Sequence, residues 1–159
     1  MPLGINCKIY RNTGTYGSPT WSEVHLFSDV QISPSWAEAL AQTRGYLLEA
    51  SAKTLAKLEV TAKIRVKASD TNYAAIYAAE LNRDLLDLMI LNGEHDVNGV
   101  VGFRGEFQIY PTGQDQSPGV LLYDDVAIKP AAEATTNIKT VAVASGSPVF
   151  TDTFANIAA

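Results

Sequence analysis

Leu58-Glu59-Val60-Thr61-Ala62-Lys63-Ile64-Arg65-Val66 decides the fold class. Apolar side chains at 58, 60, 62, 64 and 66 alternate with polar ones at 59, 61, 63 and 65. Neighbouring side chains of a strand point to opposite faces, so this period of two marks a strand with one buried face. Outward from it, the same alternation runs from Val24 through Leu26 and Val30 to Ile32. It returns at Phe103, Gly105, Phe107 and Ile109, opposite Arg104, Glu106 and Gln108. Further strands are expected from Ile5 to Tyr10, from Val120 to Ile128 (closing before Pro130), and from Ile138 to Ala144.

Turn residues punctuate these runs. Thr13-Gly14-Thr15-Tyr16-Gly17-Ser18-Pro19 reads as a loop, as does Pro111 to Gly119. Asn92-Gly93 and Asn98-Gly99 bracket Glu94-His95-Asp96 and suit the positive φ angles of a reversal, so Leu85–Leu91 and Val100–Tyr110 read as a hairpin. Asp70 to Arg83 reads as the helix: Ser69 or Asp70 can cap it, and Tyr73, Ile76, Tyr77 and Leu81 share a face. Together these predict a mainly β protein, an antiparallel sandwich or half-barrel with one flanking α-helix. Pro34 to Lys57, rich in Ala and Leu, is read as an extended arm or loop between two long strands, although Trp36 to Ala41 suits helix or strand by propensity. The weakly apolar stretch from Ala131 to Ala159, with a loop at Ser145-Gly146-Ser147-Pro148, is expected to be held by a neighbouring subunit.

The 159 residues fit one domain, and 47% apolar with 18% charged suffices for a core. No apolar run approaches the roughly 18 residues needed to cross a bilayer, so no membrane partner is expected. The opening residues lack the basic start and apolar core of a signal peptide, and Cys7 has no cysteine to pair with; the expected compartment is a cytoplasm. The net charge of −5 is uneven. Residues 1–69 hold eight Lys/Arg against five Asp/Glu, and residues 70–159 hold four against twelve. With no dense basic cluster, the chain lacks the footprint of a tight nucleic-acid binder.

Catalytic patterns are missing. His25 and His95 have no partners at metal-binding spacing, and the nucleophile elbow, the phosphate loop and the dinucleotide glycine motif are all absent. The adjacent carboxylates Asp124 and Asp125 should point to opposite faces of a strand, unlike a catalytic pair. No enzyme activity and no cofactor or metal site is expected. Tyr16 and Trp21 beside a Gly/Ser/Pro loop suit either a carbohydrate-stacking platform or the lid of a core.

The strings Ile5-Asn6-Cys7-Lys8-Ile9-Tyr10-Arg11-Asn12, Thr13-Gly14-Thr15-Tyr16 and Trp21-Ser22-Glu23-Val24 resemble the start of small phage tail tube proteins (major tail proteins). Asp29-Val30, Thr43-Arg44-Gly45 ahead of a long alternating strand, and the order of elements are also similar, over roughly residues 1–130. The resemblance implies a tail-tube-like β domain at 1–130; residues 131–159 depart from the family as an extension, expected either to lie on the outside of the tube or to clasp a neighbouring subunit. It implies six-membered rings whose strands merge into one barrel around a lumen passing DNA without binding it specifically. Rings would stack into a tube in the virion tail, assembled in the bacterial host cytoplasm, with tail tip, terminator or sheath proteins as further partners.

In such proteins a loop reaches the next ring; the matching stretch implies Arg44, Gly45, Tyr46, Leu47 and Leu48 as the contact arm. Lys63, Arg65 and Lys67 mark a strand face for the lumen or for a neighbour. An acidic lumen would repel DNA, and a lining made mainly of these three cations would contradict it. The alternatives are a tube subunit of a secretion or contractile injection system, or a monomeric β-sandwich that binds a ligand.

Overall fold

The computed structural model describes residues 7–41, 50–115, 118–119, 121–131 and 138–154. The strands are β1 (Lys8–Asn12), β2 (Trp21–Glu23), β3 (Phe27–Ala41), β4 (Ala50–Arg65), β5 (Leu86–Leu91), β6 (Val101–Asp115), β7 (Tyr123–Pro130), β8 (Ile138–Ala144) and β9 (Ser147–Phe154), with α1 (Thr71–Asn82) between β4 and β5. All pair antiparallel in one curled half-barrel sheet, in the order β2-β1-β5-β6-β7-β4-β3, with β8 on β6 and β9 on β8.

The long strand β6 organises the sheet. On one side its residues Gly102–Phe107 pair with β5. On the other, Val101–Arg104 pair with β8 and Phe107–Asp115 with β7. The sheet therefore divides below Phe107, where β6-β7-β4-β3 continues as a four-stranded limb without β5.

Alternation in the sequence becomes two cores. Leu58, Val60, Ala62 and Ile64 of β4 are buried with Phe107, Ile109, Val126 and Ile128 inside the curl, under Tyr73 and Ile76 of α1. On the opposite face, Tyr10, Met89, Leu91 and Val141 form a smaller cluster joined by Trp21 and Phe150. The hairpin β8–β9 thus supplies both ladder bonds to β6 and apolar contacts to the same chain.

Several expectations change. The stretch read as an arm from Pro34 to Lys57 is largely strand: β3 runs on to Ala41 and β4 starts at Ala50. Pro34 and Pro111 do not stop their strands because each lies where the strand has an unpaired side, so a missing amide breaks no ladder bond. For the same reason β6 continues through the expected loop to Asp115, with a register shift between Pro111 and Gly113. The run Val24–Ile32 is interrupted by a turn, which places His25 outside any strand. The hairpin at Asn98-Gly99 is present, and of its two glycines only Gly99 takes a positive φ, 89°.

The helix forms where its caps predict. Asp70 accepts the amides of Asn72 and Tyr73 at 2.9 and 3.0 Å, and Arg83 ends the helix at φ 61°. Its buried stripe, however, is Asn72, Tyr73, Ile76 and Ala79. Tyr77 and Leu81, expected on that face, are 47% and 65% exposed. The stripe is rotated because Asn72 is drawn inward by three hydrogen bonds, from Arg11 Nε to its Oδ1 and from its Nδ2 to Ser22 Oγ and the Glu23 carbonyl.

Candidate assembly surfaces

The expected contact arm, Arg44, Gly45, Tyr46, Leu47 and Leu48, lies outside the described residues, in the connection between β3 and β4. These two strands reach it as a paired ribbon, with cross-strand pairs from Phe27 and Ile64 out to Ala41 and Ala50.

Lys63 and Arg65 are exposed on β4, on the face away from α1, whereas Lys67 falls beyond the strand in the turn that leads to the helix. Opposite Lys63 is Asp125, and opposite Arg65 is Tyr123. Lys57 and Lys129 approach Glu59 at 3.7 and 3.9 Å. Lys129 also lies 5.3 Å from the Tyr110 ring. This face therefore carries both signs.

Two long edges of the limb are open. Among the described residues no strand pairs with the outer side of β3, nor with β6 beyond Phe107 on the side that β5 occupies above. Beside this β6 edge runs a groove walled by α1: Ala79, Glu80, Arg83 and Asp84 face Gln108–Pro111, and Tyr77, Glu80 and Leu81 face Pro111, Gly113 and Asp124. Burial pushes the Glu80 carboxyl above its ordinary value, and the nearby Asp124 charge adds to this. Asp124 accepts the Tyr73 hydroxyl at 3.2 Å and Gln114 Nε2 at 2.6 Å. Burial, followed by the Asp124 charge and hydrogen bond, pushes the Tyr73 hydroxyl up to about 12. Asp125 points to the other face, as adjacent strand residues must.

The Tyr16 and Trp21 rings are engaged within the fold. Arg104, 3% exposed, lies 4.1 Å from the Tyr16 ring centre, 4.6 Å from Phe150 and 4.9 Å from Trp21. Its Nη2 donates to the Tyr16 carbonyl at 2.9 Å. The loop above it is organised by Asn12, whose Oδ1 accepts the amides of Gly14 and Thr20 and whose Nδ2 donates to Asp87. One face of each ring is thus taken by a cation of the same chain, the lid arrangement rather than an open platform. Sequence reading missed Arg104 because alternation placed it on the polar face of β6, and nothing local reveals that a second core covers that face.

The remaining chemistry-bearing residues are dispersed. His25 lies 3.5 Å from Glu23 at the surface, and His95 packs edge-on against Tyr10 at 4.9 Å. Lys8 bridges Glu23 and Glu94 at 2.8 and 3.0 Å, and these bonds hold its ammonium well above the usual lysine range. Among the described residues no group of three His, Cys, Asp or Glu side chains could hold a metal ion, and no helix is long and apolar enough to cross a membrane.

Against known proteins, no family model matches the chain, and no curated protein matches it. Among solved structures it is similar to a chain from the tail of an empty gene transfer agent particle with C6 symmetry: TM-score 0.64, 11% identity, 86% of this chain and 99% of that one. A chain from the virion of a native gene transfer agent particle aligns at TM-score 0.62 and 11% identity, over 95% of this chain and 99% of that one. At such identity the likeness establishes the fold, which this chain shares over nearly the full length of those particle chains.

Proposed function

We propose that this chain is a structural, non-catalytic subunit of a phage-type tail tube, in which stacked six-membered rings surround a lumen that passes DNA. The observation that carries this reading is the shared fold, spanning 99% of a chain from a tail with C6 symmetry. The open edges of β3 and β6 support it independently. Long unpaired edges are a hazard in a monomer, and closing a sheet into a ring removes them. The mixed charge around Lys63 and Arg65 supports passage without grip, because it offers no continuous positive track for phosphate.

In this reading the chain's main partner is itself, with tail tip, terminator or sheath proteins at the ends or outside of the tube. Its place is the virion tail, after assembly in the bacterial host cytoplasm. Residues 44–48 carry the contact between stacked rings, and residues 131–159 extend the tube domain. The test is negative-stain electron microscopy of the purified protein, with light scattering for mass. Hollow tubes or rings are the expected result; a 17.1 kDa monomer at every concentration would overturn it.

A further inference from the structure

A ring built from one kind of subunit uses heterologous contacts, so each copy must present two different and complementary surfaces. The four-stranded limb has two candidates, its β3 edge and its β6 edge. Every neighbouring pair in β6-β7-β4-β3 is antiparallel, so β3 runs opposite to β6. A second copy's β3 laid beside β6 therefore continues the alternation without a parallel join.

Among the described residues, four of the eight large exposed apolar side chains lie at or beside these two edges. Trp36 on β3 is 48% exposed; Tyr77, Leu81 and Tyr110 beside the β6 edge are 47%, 65% and 45% exposed. Ile32, Pro34 and Trp36 lie opposite Val60, Leu58 and Ala56, so they form the row of β3 on the core side, the side on which α1 lies. Tyr77 and Leu81 are one helical turn apart on the groove wall, against Pro111 and Gly113.

The geometry points to a lateral joint in which β3 of one copy lies along Gln108–Gly113 of a second copy, with Trp36 seated on the Tyr77–Leu81 face of α1. A side chain keeps its face when a sheet is continued in register, so Trp36 emerges on the helix side and not among Lys63 and Arg65. The joint covers both open edges and removes Trp36, Tyr77 and Leu81 from water at one stroke. Pro34 and Pro111 each take one donor from their edge, which limits the registers in which the edges can pair. This inference rests on the tube reading and adds which edges meet and what fills the groove.

The test places single thiols in a Cys7→Ser background. Trp36→Cys chains are mixed with Leu81→Cys chains, assembled and treated with a short bismaleimide. A covalent dimer in the mixture, missing from either variant alone, is expected. A chain carrying both substitutions should give a ladder that ends at the ring number. Loss of assembly by Trp36→Cys with unchanged circular dichroism also supports the joint, and Pro34→Cys on the same row then carries the cross-link. Rings that form normally but yield no mixed dimer would overturn the joint and leave the tube reading intact. A wild-type chain that never assembles would overturn that reading, and the joint with it.

Discussion

Arg104 donates from Nε and Nη2 to the two carboxylate oxygens of Asp87, at 3.1 and 2.8 Å, beneath a lid made of Tyr16, Trp21 and Phe150. The pair links five parts of the chain: β5, β6, the loop after β1, β2 and β9. Its side chains are 4% and 13% exposed, so breaking it strands a charge away from water. Replacing Arg104 by Met should cost about 3–5 kcal/mol, and adding Asp87→Leu should recover much of that loss. Urea unfolding of the single and double variants measures the difference; equal losses would show that the ion pair is not the cause.

Gly102 is required by close approach. A Cβ there would run into the carbonyl oxygen and carbon of Ile90, which are backbone and cannot swing aside. Gly102→Ala is expected to destabilise the fold by about 3 kcal/mol or more, the upper range for overpacking. Gly105→Ala should cost less, because its obstacle is the end of the Ile138 side chain. The comparison of denaturation midpoints checks both values.

The helix caps act in opposite senses. Asp70 satisfies two amides, so Asp70→Ala should lose about 1 kcal/mol. Arg83 occupies the left-handed region at φ 61°, where glycine is at ease, so Arg83→Gly should gain up to about 1 kcal/mol. Thermal melts of the two variants should move apart from the wild type in opposite directions.

Glu80 has a raised carboxyl pKa in the folded chain, chiefly through burial. Its charge therefore opposes folding at neutral pH, and this penalty fades as pH falls toward its ordinary value of 4.5. Glu80→Gln should raise the Tm at pH 7, with the gain shrinking toward pH 4.5. A gain independent of pH would point to packing instead. For Tyr73, the favourable contribution of the neutral hydroxyl should disappear as pH rises through about 12.

Leu47→Asp together with Leu48→Asp should leave the domain folded and block stacking of rings. Circular dichroism and electron microscopy read the two effects separately; normal tubes from the double variant would remove these residues from the contact arm.

Much of this architecture was legible in the sequence because it depends on neighbours a few residues apart. Period-two alternation marked β4 and β6; a cap at Ser69 or Asp70 marked the start of α1; Asn98-Gly99 marked a reversal. Each follows from the backbone's own geometry, whatever the rest of the chain does. What only the tertiary structure decided depends on residues far apart. The buried stripe of α1 turned because Asn72 found partners near residues 11 and 23, which left Tyr77 and Leu81 outside. Arg104 became a core residue because a hairpin some forty residues later covered its face. Pro34 and Pro111 lie within strands because the sheet order leaves one side of each strand open. A strand's pattern tells which residues share a face, but the partners of that face are chosen by the whole sheet.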